Sequence, residues 1–196
     1  MKKTLYLMRH GQTLFNLRRK IQGACDSPLT ELGINQAKEA GKYFKDNNVI
    51  FDYAYSSTQE RACDTLEIVT NNKIPYTRLK GIKEWNFGTF EGESEDLNPP
   101  GDPVRRSYGD FFLQYNGESD IQVQERMNTT LTEIMEKEDH KTVLAVSHGG
   151  AIFMFLRKWE DIFNRKDKIK FSNCCILKFE YENKEFKFIE IINHDF

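Results

Sequence analysis

Long hydrophobic runs are missing from this chain, and neither sign of charge dominates it. No apolar stretch approaches the roughly 20 residues that cross a bilayer. The basic and apolar start, residues 1–8, is too short for a signal peptide and lacks a small-residue cleavage site. These features predict a cytoplasmic protein that has no membrane partner.

The 28 basic and 30 acidic side chains nearly balance and leave a formal net charge of −2. Domains that bind nucleic acid usually carry a positive excess, so we expect no nucleic-acid partner. The four cysteines and four histidines do not show the spacing typical of metal ligands. We therefore expect reduced thiols that mostly pack, no bound metal and no cofactor.

Helix and strand patterns alternate along the 196 residues, which is typical of an α/β protein of one domain, residues 1–196. Thr30 and Ser119 are expected to cap helices, and the polar residues 56–58 are expected to cap another. The apolar run 142–146 predicts a central strand covered on both faces. We predict a three-layer α/β/α sandwich with a mostly parallel central sheet. The other predicted strands are residues 3–9, 51–55 and 74–79, with two β segments between 173 and 192.

Residues 81–118 have little regular pattern, and a segment of this kind is commonly a lid or binding loop. Its aromatic side chains could line an apolar or sugar-stacking pocket, or they could pack the lid onto the sheet. Arg105 and Arg106 could grip a second acidic group or face solvent. The sequence leaves both questions open. The aromatic residues concerned are Trp85, Phe87, Phe90, Tyr108, Phe111, Phe112 and Tyr115.

Three polar clusters follow predicted strands: Arg9-His10-Gly11, residues 56–61 and Ser147-His148-Gly149. Carboxyl ends of parallel strands share one edge of a sheet, so two histidines and two arginines should converge there. Arginine offers a planar fork of donors, and histidine offers a nitrogen nucleophile or a cation. The pattern therefore predicts a phosphate-binding site.

The chain resembles the histidine phosphatases, the superfamily that includes cofactor-dependent phosphoglycerate mutases. The resemblance covers nearly the whole chain, and each motif is weak alone but specific in this order. The motifs are Arg9-His10-Gly11-Gln12-Thr13 with Asn16, Gln22-Gly23, residues 26–33, Ser56-Ser57 with Arg61-Ala62 and Thr65, Glu84 with Phe87-Gly88 and Phe90-Glu91-Gly92, Gly117-Glu118-Ser119 with Arg126, and Ser147-His148-Gly149-Gly150.

The resemblance implies how such a site would work. His10 would attack phosphorus and carry the phosphoryl group as phosphohistidine, which splits one difficult displacement into two easier ones. Arg9, Arg61 and His148 would surround the non-bridging oxygens. Glu84 would protonate the leaving alkoxide and then take a proton from water. No metal is required, because cationic side chains take its place.

Neutral donors to the phosphate are expected from Asn16, Gln22 and the backbone around Gly11 and Gly149. Other acids near Glu84 remain alternatives for the acid role. They are Glu91, Glu93 and Glu118. The remaining histidines, His140 and His194, are predicted to be ordinary surface residues.

Two outcomes of this chemistry remain, namely hydrolysis and phosphoryl transfer to another hydroxyl. Within the family that the chain resembles, its length is below that of the mutases, and Phe87-Gly88-Thr89-Phe90-Glu91-Gly92 resembles the phosphatase branch. We therefore favour a phosphatase acting on a small phosphorylated metabolite, with mutase activity as the alternative. A non-catalytic module that binds phosphorylated ligands is the third hypothesis, but such a module should have lost His10 or the acid. A homodimer is left open.

Overall fold

The computed structural model describes residues 2–164 and 169–194. Helices and strands alternate through most of this length, as the sequence patterns predict. The elements are β1 (Lys3–Arg9), α1 (Leu14–Leu17), α2 (Glu31–Asp46), β2 (Tyr53–Ser57), α3 (Glu60–Thr70), β3 (Tyr76–Leu79), α4 (Asp120–Met135), β4 (Thr142–Ser147), α5 (Gly149–Trp159), β5 (Ile176–Glu182) and β6 (Glu185–Ile192).

The strands form one sheet in the order β3-β2-β4-β1-β5-β6. Strand β4 pairs in parallel with both β1 and β2, and β2 pairs in parallel with β3. Strands β5 and β6 extend the sheet in antiparallel fashion. The apolar strand β4 is thus central, and the predicted mostly parallel sheet is confirmed.

Helices cover both faces of this sheet. One apolar core packs α4 and α5 against it, with Val123, Met127 and Phe155 fully buried. The other core packs α2 and α3, with Ala37 and Leu66 fully buried. The α/β/α sandwich expected from the sequence is therefore confirmed. Within the described residues, no helix has both the length and the apolar character needed to span a membrane.

Helix starts follow the predicted caps in two places. The Thr30 side chain accepts from the Gly33 backbone N–H, and Ser119 forms a capping box with Gln122. The expected cap of α3 by residues 56–58 is wrong. The N-cap of that helix is Gln59, and its side chain makes no capping bond.

A second difference lies after β1. The sequence predicts a polar loop through Asn16, but Thr13 and Asn16 form a reciprocal capping box that starts the short helix α1. The strand starts also shift, since β2 begins at Tyr53 and β3 at Tyr76. A reciprocal capping bond such as that of Thr13 and Asn16 is a weak signal in a single sequence.

His140 is not a surface residue, so that prediction is wrong. The residue is 2% exposed, and its ring stacks on the Tyr53 ring with centroids 3.7 Å apart. One ring nitrogen lies 2.6 Å from the Tyr55 hydroxyl, and the other lies 2.7 Å from an Asp139 carboxylate oxygen. His194 is half-buried beside Tyr43.

Candidate active site

The three polar clusters meet at one edge of the sheet. Arg9 of β1 is in register with Ser147 of β4, and the His10 backbone N–H donates to the Ser147 carbonyl at 3.0 Å. Consequently the rings of His10 and His148 lie side by side, with centroids 5.1 Å apart. Two histidines that are far apart in sequence therefore share one small space.

The hydrogen bonding of His10 leaves one ring nitrogen available. Its Nδ1 lies 2.7 Å from the Gly11 carbonyl oxygen, which can only accept. Nδ1 therefore carries the hydrogen in the neutral ring, and Nε2 keeps its lone pair. Burial, followed by the positive charges of Arg61 and Arg9, holds the pKa of His10 well below its usual value. A neutral ring with a lone pair at Nε2 can act as a nucleophile.

Gly11 stands where no side chain fits. A Cβ atom there would lie 2.5 Å from the Gly33 carbonyl oxygen at the start of α2. The Gly11 backbone N–H donates to the Thr65 hydroxyl at 3.0 Å. This contact holds the turn after β1 against α3.

Arg61 is fully buried in the first turns of α3. Its Nη1 donates to the Cys25 carbonyl at 2.8 Å and to Asp26 at 2.9 Å, and its Nη2 donates to the Gly23 carbonyl at 2.9 Å. The guanidinium is thus held from one side by residues 23–26. Its Nε finds no partner among the described residues.

Four buried nitrogen atoms around His10 share this lack of a partner within the described chain. They are Arg9 Nε, Gln22 Nε2, Arg61 Nε and His148 Nδ1. Buried donors normally find an acceptor, because a buried donor without a hydrogen-bond partner costs about 1–3 kcal/mol. The two arginine nitrogens and the Gln22 amide nitrogen in this state fit a ligand that offers several acceptor oxygens, such as a phosphate. His148 Nδ1 joins them as a donor in the tautomer that carries its hydrogen there.

His148 is held by the hydroxyl of Ser57, a residue that the sequence predicted as a helix cap rather than as a partner of this histidine. The Ser57 Oγ lies 2.6 Å from His148 Nε2, and 3.2 Å from the Gln59 side-chain oxygen. Burial and the charge of Arg61 lower the pKa of His148 well below its usual value. Because Ser57 occupies Nε2, the unpartnered Nδ1 is the nitrogen that remains for a ligand.

The Glu84 carboxylate lies at the N-terminus of α5. It accepts hydrogen bonds from the backbone N–H groups of Gly150 at 3.0 Å, Ala151 at 2.8 Å and Trp85 at 2.8 Å. Arg126 of α4 fixes the chain behind it by donating to the Glu84 carbonyl at 2.9 Å. Glu84 lines the same cavity as His10.

The other candidate acids are engaged elsewhere. Glu91 accepts four backbone N–H bonds, three from residues 23–25 and one from Phe87. Glu118 binds Arg126 through Nε at 2.7 Å and Nη2 at 2.9 Å. Neither lines the cavity, and neither does the exposed Glu93. Glu95 does line it, but it faces Arg19 at 3.7 Å.

The cavity has a volume of about 510 Å³. Arg9, His10, Asn16, Gln22 and Gly149 line it. Arg61 and His148 do not line it, although the His148 ring lies beside that of His10. Gly11 does not line it either, so the predicted site residues are gathered in one region with three of them outside the cavity lining.

The aromatic side chains of the lid, residues 81–118, lie in two places: some line the cavity, and the others pack within the lid. Trp85, Phe87 and Tyr108 line the cavity. The rest pack against one another without lining it: Phe90, Phe111, Phe112 and Tyr115.

The lid arginines divide in the same way. Arg105 pairs with Asp110 at 2.9 Å and with Asp120 at 3.3 Å. Arg106 lines the cavity and lies 4.6 Å from the Phe163 ring centroid. Only Arg106 of the two is therefore placed to meet a bound molecule.

Several residues around the site were not singled out from the sequence. Phe171 accepts from Arg9 Nη1 through its carbonyl at 2.6 Å, and Asn173 donates to the Asn16 side-chain oxygen at 3.3 Å. Gln59 accepts from the Glu84 backbone N–H at 3.2 Å. Of these, only Gln59 has a readable signal, because it lies in the polar cluster between β2 and Arg61.

Comparison with known proteins agrees with this geometry. A family model described as histidine phosphatase superfamily (branch 1) matches residues 5–194. A Proteus mirabilis protein named probable phosphoglycerate mutase GpmB is 31% identical over 185 residues, which cover 91% of this chain and 85% of that one.

Two solved structures share the fold. Phosphoglycerate mutase from Bacillus anthracis matches with a TM-score of 0.84 at 28% identity, covering 96% of this chain and 92% of that one. Phosphoserine phosphatase from Entamoeba histolytica, solved in complex with 3-phosphoglyceric acid, matches with a TM-score of 0.73 at 29% identity, covering 98% of each chain.

The family match and the identity to the Proteus relative establish the class. This chain belongs to the histidine phosphatase superfamily. Membership in that family, with relatives named as phosphatases, supports phosphoric monoester hydrolase activity.

Proposed function

We propose that this protein is a metal-independent phosphatase that hydrolyses small phosphomonoesters through a phosphohistidine intermediate on His10. The observation that carries the proposal is the hydrogen bond from His10 Nδ1 to the Gly11 carbonyl at 2.7 Å. It leaves Nε2 with a lone pair beside a group of unpartnered buried donors. A nucleophile and an anion-binding environment thus occur together.

In this proposal the phosphate binds against Arg9, Arg61 and His148. Asn16, Gln22 and the backbone at Gly149 add neutral donors. The Gly11 backbone N–H, which the sequence also suggested, is instead engaged by the Thr65 hydroxyl. These cationic and polar groups stabilise the charge that develops on the oxygens, and the loss of one such donor typically lowers kcat by about 10²–10³-fold. No metal ion is needed for this stabilisation.

Glu84 is the general acid in this scheme. As His10 Nε2 bonds to phosphorus, the bond to the alkoxide breaks, and Glu84 gives that oxygen a proton. Glu84 then takes a proton from a water molecule, which attacks the phosphohistidine and frees His10. Its backbone partners at the start of α5 hold the carboxylate in place for both steps.

The second candidate is a mutase, and the names of two relatives favour it. The Proteus protein is named a probable phosphoglycerate mutase, and the Bacillus protein a phosphoglycerate mutase. A mutase returns the phosphoryl group from His10 to another hydroxyl of the bound molecule instead of to water. The two functions share the first step and differ in the acceptor.

One experiment separates these readings. Wild-type protein and the His10→Ala variant are incubated with 4-nitrophenyl phosphate and with 3-phosphoglycerate, each with and without EDTA. Phosphate release and isomer formation are followed by ³¹P NMR, and phosphohistidine is trapped by an alkaline quench. His194→Ala is the matched histidine control, because that residue lies outside the site.

We expect wild-type protein to release phosphate in the presence of EDTA and to form phosphohistidine, and His10→Ala to do neither. Isomer formation faster than phosphate release would favour the mutase. Undiminished turnover by folded His10→Ala would overturn both. The natural partner in this proposal is a small phosphorylated metabolite of the cytoplasm.

A further inference from the structure

Two groups of aromatic rings line the cavity beside Glu84. The first group is Trp85, Phe87 and Tyr108 of the lid. The second group is Phe153 of α5 and Phe171, which precedes β5. Ring contacts hold each group together: the Trp85 and Phe87 centroids are 6.0 Å apart, and those of Phe153 and Phe171 are 5.8 Å apart.

Both ring groups lie next to residues that would carry out the proposed reaction, namely Glu84 and Arg9. The Trp85 backbone N–H binds the Glu84 carboxylate at 2.8 Å. Phe153 follows Gly150, another partner of that carboxylate, by about one helical turn. The Phe171 carbonyl accepts from Arg9 at 2.6 Å. The rings therefore stand next to the place where the alcohol would leave.

The first ring group is held in place by burial, a hydrogen bond and ring contacts. Trp85 is almost fully buried, and its indole N–H donates to the Glu118 carbonyl at 2.7 Å. Tyr108 meets the Trp85 ring edge-on, with centroids 5.6 Å apart. An apolar surface that is already formed needs little ordering when a ligand binds.

The cavity is also larger than a phosphate ester of a short alcohol requires. Its volume of about 510 Å³ falls within the range of about 300–1,000 Å³ that holds drug-sized ligands. With the phosphate against His10 and Arg9, the remaining space is bordered by these five rings and by polar side chains that include Lys20, Glu95 and Arg106. A short or strongly polar alcohol would bury little apolar surface against those rings.

We propose that the preferred substrates are phosphomonoesters whose alcohol carries an aromatic ring, which lies among these five aromatic side chains. This inference rests on the proposed phosphatase function, because it assumes that the phosphate binds against His10. It assigns Phe153 and Phe171 as specificity-determining residues. Aromatic rings gain both apolar burial and favourable edge-to-face contacts in such a site.

The test compares three alkyl phosphates whose leaving alcohols are of the same chemical type: 2-phenylethyl phosphate, ethyl phosphate and glucose 6-phosphate. We expect kcat/KM for 2-phenylethyl phosphate to exceed that for ethyl phosphate by about 10–100-fold, the ratio expected for burying one phenyl group. Glucose 6-phosphate has comparable bulk but a polar surface, and it should resemble ethyl phosphate.

Two variants connect the preference to the rings. Phe153→Ala removes a ring that lines the cavity, and it should reduce the 2-phenylethyl advantage at least about fivefold. Phe111→Ala is the matched control, since Phe111 packs within the lid without lining the cavity. It should keep the advantage.

The possible results separate the aromatic preference from the proposed phosphatase function on which it rests. Equal kcat/KM for the three esters, or a preference for glucose 6-phosphate, would overturn the aromatic preference while leaving the phosphatase intact. The same holds if folded Phe153→Ala keeps the full advantage. Absence of hydrolysis with all three esters and with 4-nitrophenyl phosphate would instead overturn the proposed function.

Discussion

Replacing Ser57 with alanine tests whether the orientation of His148 matters for phosphate binding. The hydroxyl lies 2.6 Å from His148 Nε2 and is fully buried. Ser57→Ala removes the hydrogen-bond partner of His148 Nε2, and no other described residue bonds to that nitrogen. The ring is then free to turn its unpartnered Nδ1 away from the position of the ligand.

The expected loss of kcat/KM follows from the free energy of the Ser57–His148 hydrogen bond. Leaving one buried polar group unpaired costs about 1–3 kcal/mol, and each 1.4 kcal/mol is a factor of ten. If the bond orients His148 in the transition state, kcat/KM should fall about 5–150-fold. Affinity for tungstate, an anion that resembles phosphate, should fall with it, because the same ring nitrogen meets both.

Ser56→Ala is the matched control. Ser56 is also fully buried, but among the described residues its hydroxyl reaches only the weakly accepting Cys63 sulfur, at 3.5 Å. Both variants are assayed with 4-nitrophenyl phosphate and titrated with tungstate, and circular dichroism checks their folding. A folded Ser57→Ala variant within twofold of Ser56→Ala in both measurements would refute this account of His148.

The remaining predictions concern proton binding. Burial and Arg61 lower the pKa of both His10 and His148, so the folded protein holds them neutral where the unfolded chain takes up protons below about pH 6.5. The free energy of unfolding should therefore fall as the pH drops from 7.5 to 5.5, and it should fall less in His10→Asn. Urea titrations at both pH values check this. An equal fall in the wild-type protein and in His10→Asn would contradict it. Glu84→Gln should slow alkyl phosphates by about 10²–10⁴-fold but 4-nitrophenyl phosphate far less, because nitrophenolate leaves without a proton. Equal losses on both substrates would move the acid role to another group.

Much of the fold could be predicted because its signals are local. The apolar run of β4 and the helical spacing of Ala37, Ala40 and Phe44 each reflect burial of one short segment. The convergence of His10 and His148 follows as well, since parallel strands place their ends together. Topology thus brings distant residues into one site without any long-range signal in the sequence.

Contacts between segments that no pattern links could not be predicted. Ser57 and His148 are 91 positions apart, and Arg9 and Phe171 are 162 positions apart. His140 was misjudged for the same reason, because its partners on β2 are visible only once β2 and β4 pair. The division of lid aromatics between cavity and packing likewise depends on the path of the backbone.

The lid is closed at its base, which has a consequence for how this molecule could change. Asn86 and Glu118 exchange two hydrogen bonds, from Glu118 N to the Asn86 carbonyl at 2.8 Å and from Asn86 N to the Glu118 carboxylate at 3.0 Å. Arg126 then ties this junction to the backbone of Glu84. Insertions or deletions beyond the junction, around residues 98–106, can thus alter the shape of the cavity while Glu84 keeps its position. Chemistry and selectivity can diversify separately in this chain.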